Sequence, residues 1–447
     1  MTDPTKGTSP VNPNFVSEPG DVITEQMIIT ATDGRVFDVS NFVMETILYE
    51  DVFSNVLKGS VMLLDSADLI NKISLAGTEY ITFSFRTPSF TEKVSKSFKI
   101  TSLSGRTFSA TDREQVYLLG FISIEGAVDN VTNISKKFSG TTDDVIKRIF
   151  KEYLTTPRFV DGKSSPTKVF VPEESHGSSV AFVACSWTPF KAINWVANRS
   201  FSTAQKHPTW MFFESNKAFY LENLEDLVLK QSSGNRIFAN YQYSPGTNTL
   251  FNTSKGTTIY SKPELLKQYS MVRNIKPFEQ YDVLQGQDYG FYAAKLIVHD
   301  TTYKTYKETT YDYYPSYLKR EDANTNPTAF PKQILRNPEN HQRLRTLHSK
   351  LHNDFQNPLY EKWSLERNSL MYEFSAVKVE IEVPGRTDIE AGVLVDFTYP
   401  KAIDKNSGSP GNDYEDPFMT ARYLVSAIKH AFSLNKHMMW LELVRFI

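Results

Sequence analysis

Apolar and polar positions alternate with period two over much of this chain. Ile81, Phe83 and Phe85 alternate with Thr82 and Ser84, and Val377, Val379, Ile381 and Val383 alternate with Lys378, Glu380 and Glu382. That is the pattern of half-buried strands. The β signal runs from Val22 to about Ser123. In it, MIITATDGRVFDV sets two short apolar runs around Asp33-Gly34, a hairpin signal. A second hairpin is predicted in WMFFESNKAFYLENLEDL, around Ser215-Asn216-Lys217. The period changes in SGTTDDVIKRIFKEYL, where Val145, Ile146, Ile149, Tyr153 and Leu154 share one helical face. Thr141 can cap that helix, and Asp143 and Asp144 suit its positive end. TPFKAINWVANRS predicts another helix, capped by Thr188 with Pro189 in the first position. Leu344, Leu347 and Leu351 give ENHQRLRTLHSKLHNDF helical spacing.

Part of this pattern occurs twice. FKITSLSGRTFS (Phe98–Ser109) reads against YLVSAIKHAFS (Tyr423–Ser433). Phe98 matches Tyr423, Ile100 matches Val425, Thr101 matches Ser426, Leu103 matches Ile428 and, one deletion later, Phe108 matches Phe432. QVYLLGF follows the first copy and MMWLELVRF the second. Upstream, AGTEYITFSF (Ala76–Phe85) reads against AGVLVDF (Ala391–Phe397), and SVMLLDS (Ser60–Ser66) against KLIVHDT (Lys295–Thr301). Chance similarity between amphipathic strands is the alternative, and the shared order of the fragments argues against it. Two similar β-domains in one chain suit a ring whose pseudo-symmetry is twice its true symmetry.

The expected fold class is mainly β with α+β: two similar antiparallel β-barrel domains, a mixed α+β domain and a small helical insertion. The expected divisions are a flexible arm at 1–21, a first barrel at 22–125, the mixed domain at 126–271, and a second barrel at 272–315 plus 371–447. The helical insertion takes 316–370. The arm is rich in Pro, Ser, Thr, Gly and Asn. The polar segment Asp404–Pro417 is read as a long acidic loop.

Composition narrows the function. The 447 residues carry a formal net charge of -2, which disfavours a protein that binds nucleic acid by phosphate neutralisation. The single cysteine, Cys185, admits no intrachain disulfide and fits a reducing compartment. It lies in the apolar run VAFVACSW and is expected to be a buried, inert thiol. No signal peptide and no apolar span of bilayer length is visible.

Candidate chemistry is sparse. His348 and His352 stand at i, i+4, with His341 a turn away, but the position after the first histidine is Ser349 rather than a glutamate base. Solvated histidines on a helix face are the expected reading, with no metal site. Asp143-Asp144 is better explained as helix-start charge, and Glu173-Glu174 could act as a glycosidase-like pair only if the fold arranged it. Phe212, Phe213, Phe219 and Tyr220 read as hairpin core rather than a base-stacking platform. No catalytic residue, cofactor site or metal site is expected.

ETILYEDVFSNVLKGSVMLLDSADLINKISLAGTEYITFSFRTP resembles the N-terminal segment of baseplate hub proteins from contractile-tailed phages of the T-even type. It also resembles the hub half of type VI secretion spike proteins. The resemblance continues through TPFKAINWVANRS with FYLENLEDL, DYGFYAAKLIVHD, VPGRTDIEAGVLVDFTYP and YLVSAIKHAF, over most of residues 22–447. It implies a homotrimeric, torus-shaped structural hub, each chain giving two barrel-type tube domains. Three chains would then join a sixfold tail tube to a threefold spike. The implied partners are a central spike or tail lysozyme protein, a tube or tube-initiator protein, and baseplate wedge proteins. DNA would pass through the lumen without specific binding, and there would be no membrane insertion. The implied location is the tail baseplate of a virion assembled in the host cytoplasm. The alternatives are a hub of a non-phage contractile injection system and a tail-associated cell-wall hydrolase, which a zymogram would reveal.

Overall fold

The computed structural model describes residues 18–445, apart from segments 91–92, 110–113, 156–168, 171–178, 202–207, 226, 228–236, 244–266, 277–281, 302–303, 318–336, 348–359, 402–414, 417–418 and 434. The first unit contains β1 (Ile23–Thr30), β2 (Val36–Asp38), β3 (Val43–Asp51), β4 (Lys58–Asp65), the short helix α1 (Leu69–Ile73), β5 (Tyr80–Arg86), β6 (Lys93–Phe108) and β7 (Gln115–Ser123). Its strands pair in the order β2-β1-β5-β6-β7-β4-β3, antiparallel throughout. The predicted hairpin is present between β1 and β2, and Gly34 takes the positive φ of 84° that its turn requires. Alternate residues of these strands, among them Ile29, Leu48, Val61, Ile81, Phe83, Phe98 and Leu119, fill one core.

The chain then alternates helix and strand: α2 (Ile124–Val131), β8 (Ile134–Thr141), α3 (Thr142–Ile149) with a wider last turn over Phe150–Leu154, β9 (Val169–Phe170), β10 (Ser179–Trp187), α4 (Pro189–Ala197), β11 (Trp210–Glu214) and β12 (Phe219–Asn223). Both predicted caps form: Thr141 Oγ1 accepts from the Asp144 N–H at 3.3 Å, and Thr188 Oγ1 from the Lys191 N–H at 3.4 Å. Phe138, Ile146, Ile149, Phe182, Ile193, Phe212 and Phe219 make the core. Cys185 is exposed, contrary to the reading of its apolar run. Among the described strands β10 pairs only with β8, and Val180, Phe182 and Ala184 take its inner face, leaving Val183 and Cys185 on the open one.

The second unit contains β13 (Ile237–Tyr243), β14 (Met271–Val272) and β15 (Asn274–Lys276). A three-stranded sheet follows, made of β16 (Ala293–Asp300), β17 (Thr305–Asp312) and β18 (Gln342–Leu347). β19 (Lys378–Pro384), β20 (Leu394–Thr398), β21 (Ala421–Ser433) and β22 (Lys436–Val444) then complete the second unit.

Four further sequence expectations need correction. β16, which carries the Lys295–Thr301 fragment, belongs to the separate sheet and not to the second unit. β13, which falls in the stretch read as mixed domain, pairs parallel with β14 and β20, so the second unit is not wholly antiparallel. Gln342–Leu347, read as helix, is a strand parallel to β16. A short run of leucines fits either period, and the unpaired edge of β16 supplied the hydrogen bonds that decided it. Finally, a helix over Tyr360–Ala376 runs past the expected end of the insertion. It buries Trp363, Leu365, Leu370 and Phe374 against different neighbours, so it shows no single apolar stripe.

The two units share one strand order. In chain order, β1, β2, β3, β4, β5, β6 and β7 correspond to β13, β14, β15, β19, β20, β21 and β22. The pairings β5-β6, β6-β7, β7-β4 and β4-β3 recur as β20-β21, β21-β22, β22-β19 and β19-β15. Local detail matches too. Both Ala-Gly pairs put their glycine at positive φ, 87° at Gly77 and 93° at Gly392. β6 bulges between Ile100 and Ser102, and β21 between Val425 and Ala427, so the bulge residues are the matched pair Thr101 and Ser426. Thr101 Oγ1 donates to Gly120 O at 3.2 Å, and Ser426 Oγ to Glu442 O at 3.1 Å. Phe98 and Tyr423 therefore stand on equivalent strands. Of the three fragment matches two hold, and the true counterpart of β4 is β19.

Candidate functional site at the junction of the two units

The hairpin β21–β22 belongs to both units. Near its base β21 pairs with β20; beyond the bulge, Ala427–Ser433 pairs with Glu45–Asp51 of β3. At its tip, the Val22 N–H donates to Asn435 O at 3.0 Å and the His437 N–H to Gly20 O at 2.7 Å. Phe432 thereby enters the core of the first unit, its ring centroid 4.4 Å from that of Phe85.

Beside Phe432 lies a buried polar cluster. Glu50 on β3, His430 on β21 and His437 on β22 are each at most 1% exposed. Glu50 Oε1 is 2.9 Å from His430 Nε2, and His430 Nδ1 is 3.0 Å from His437 Nε2. Glu50 Oε2 also accepts from the backbone N–H groups of Asn216, at 3.4 Å, and Ala391, at 3.2 Å. One carboxylate thus joins the first unit, the β11–β12 turn and the loop entering β20. Gly385 packs so close to the His437 ring that an added Cβ would lie 2.1 Å from it.

The β11–β12 hairpin fits into the same junction. Glu390 accepts from Ser215 Oγ at 2.6 Å and Tyr220 Oη at 3.2 Å, with Lys217 Nζ 3.7 Å away. Glu214, fully buried, ion-pairs with Lys96 on β6 and accepts from the Leu57 N–H at 2.9 Å. Asn55 donates to Phe212 O at 2.7 Å and bonds to Asn194 on α4. Burial pushes the Glu390 carboxyl above the ordinary carboxylate range, against the pull of Lys217. Burial, and then the neighbouring His430, hold His437 well below the ordinary histidine value.

This has a signed consequence. Below about pH 6.5 the unfolded chain protonates His437 while the folded one resists, so this contribution to stability is complete above that pH and falls away beneath it. Glu390 acts in the opposite sense, because its raised carboxyl takes up a proton more readily folded than unfolded. The histidine is isolated by difference. His437→Gln is expected to flatten the slope of unfolding free energy between pH 5 and 6.5 by up to about 1.4 kcal/mol per pH unit. Urea unfolding across that range measures it, and an unchanged slope would contradict a neutral, buried His437.

None of the sequence-selected chemical residues belongs to this junction except the hairpin aromatics. Phe213 and Tyr220 pack in it, and Phe212 and Phe219 lie in the mixed core as expected. His341 places Nδ1 2.9 Å from Asp288 O. His348, His352 and Glu173-Glu174 lie outside the described residues, among which no three metal-ligating side chains gather. Asp143 and Asp144 lie at the start of α3. The sequence does carry a signal for the junction. Glu50 falls on the inward parity of β3 with Thr46 and Leu48, and His430 on that of β21 with Ile428 and Phe432. A polar residue on the apolar face of a strand requires a partner.

The architecture has known relatives in structure. A tail protein from Neisseria meningitidis MC58 superposes with a TM-score of 0.51 at 10% identity, the match covering 94% of this chain and 96% of that one. The 43 kDa tail protein of prophage MuSo2 from Shewanella oneidensis gives 0.48 at 10% identity, covering 94% and 98%. The E. coli c3393 protein, described as a component of the type VI secretion system with structural similarity to T4 bacteriophage tail proteins gp27 and gp5, gives 0.43 at 7% identity, covering 95% and 77%. No protein-family model matches the chain, and no curated protein matches it. In fold, mainly β with α+β, the chain is similar to the tail protein from Neisseria meningitidis.

Proposed function

We propose that this chain is the structural hub of a contractile phage tail baseplate, a homotrimeric adaptor that joins the sixfold tail tube to the threefold central spike. The internal duplication carries this reading. Two units with a common strand order, a matching bulge and a matching glycine turn let three chains present six similar surfaces. The likeness in fold to tail proteins supports it, and so does the use of the buried acids Glu50 and Glu214 and the partly buried Glu390 as structural acceptors. The ring of barrel-type units is assigned to the tube side. The mixed region, from α2 to β12, is assigned to the spike, whose lysozyme-type partner would dock there. Light scattering on the purified chain, with and without its spike partner, is expected to give roughly three times the mass of one chain. A monomer that persists even with the spike bound would overturn the reading. Charge changes in the barrel loops should block tube growth and spare spike binding, and changes on the mixed region should do the reverse.

A further inference from the structure

The two units differ at the edge of the strand after the bulge. In the second, the strand after the bulge is covered: Ala427–Ser433 pairs with β3 of the first unit, and Phe432 is buried there. In the first, the same stretch is bare. β5 pairs with β6 only as far as Lys99, and among the described strands β6 is bonded from Thr101 to Phe108 to β7 alone, with all eight residues exposed. Phe108, the counterpart of Phe432, is 71% exposed. An unpaired edge ending in a bare phenylalanine is an aggregation hazard unless something covers it.

The intrachain junction shows what fits. β21, the copy of β6, is covered by β3, and the strand equivalent to β3 in the second unit is β15. Matching the registers through β4 and β19 sets Ile47 against Lys276 and Thr46 against Ile275. β15 pairs with β19 along one side, and no described strand takes its other edge. Among the described residues, each chain therefore carries a hairpin without its receiving strand and a receiving strand without its hairpin.

Resting on the self-association proposed above, we propose that the β6–β7 hairpin of one copy adds to the β15 edge of a second copy, with Phe108 plugging that copy's second unit as Phe432 plugs the first. The occupant is another copy of this chain, because the complementary edge is its own. In register, Ala431 faces Ile47 within the chain. Thr107, the counterpart of Ala431, then faces Lys276 of the second copy, and Phe108 faces Ile275. The contact is head-to-tail, so it repeats around a ring, alternating with the intrachain junction.

The test is cysteine cross-linking in the full chain. Cys185→Ser removes the native thiol, and Thr107→Cys with Lys276→Cys places two thiols across the expected pair. Mild oxidation should give covalent multimers ending at a closed ring, dispersed by reductant, while either cysteine alone gives none. Phe108→Asp, at an exposed site, should leave circular dichroism unchanged and reduce the light-scattering mass to that of one chain. A trimeric mass without cross-linking, or one that survives Phe108→Asp, overturns this edge assignment and leaves the hub reading intact. A chain that is monomeric even with its spike overturns both. A Phe108→Asp chain that keeps its trimeric mass but fails to take up tube protein gives the hairpin a different occupant, and also overturns it.

Discussion

Glu50→Ala is expected to lower stability by about 3–5 kcal/mol, the usual cost of removing one side of a buried charged network. The carboxylate accepts from His430 Nε2 and from the N–H groups of Asn216 and Ala391, on three different elements. Deleting it strands all three donors away from water. Glu50→Gln keeps an amide oxygen at the same place and is expected to cost less, about 1–3 kcal/mol. Because Glu50 also helps raise the Glu390 carboxyl, the alanine variant should let Glu390 titrate nearer its ordinary range. Denaturant unfolding gives the first effect, and hydrogen exchange at the Ala391 amide shows where the loosening begins. An Ala variant within about 1 kcal/mol of the parent would mean that the junction is held by its apolar contacts instead.

Phe432→Ala is expected to cost a similar amount, about 3–5 kcal/mol, by opening a cavity in a close-packed core. Its location makes it informative. The side chain sits on β21, yet its ring lies 4.4 Å from Phe85 on β5 and 4.2 Å from His437 on β22. The cavity would be walled by both units. Amides of β5 and β6 should therefore lose protection against exchange along with those of β21. If only the second unit loosens, the two cores are energetically separate despite the shared sheet.

Much of this fold was legible in residue order. Period two marked β5 and β19, Asp33-Gly34 and Ser215-Lys217 marked turns, and Thr141 and Thr188 marked helix starts; each signal is local, so chain neighbours suffice to set it. The paired fragments went further. Thr101 and Ser426, matched as letters, are both bulge residues bonding across to the same carbonyl position. What failed were signals requiring a choice among distant partners. KLIVHDT is as good a strand as SVMLLDS, but alternation states only that a strand has two faces, not which sheet it joins. Leu344 and Leu347 fit a helix until the free edge of β16 claimed their backbone. The helix over Tyr360–Ala376 had no stripe to read because it is buried on several sides.

The sequence by itself thus determined the strands, the turns, the caps and the duplication, all of which follow from steric and solvation preferences over a few residues. Tertiary structure alone decided that β13 joins the second unit, that β16–β18 stand apart, and that Glu50, His430 and His437 meet. Glu50 and His430 lie 380 positions apart along the chain. A buried acid becomes tolerable only where folding brings its donors within hydrogen-bond reach, and no local pattern records that distance.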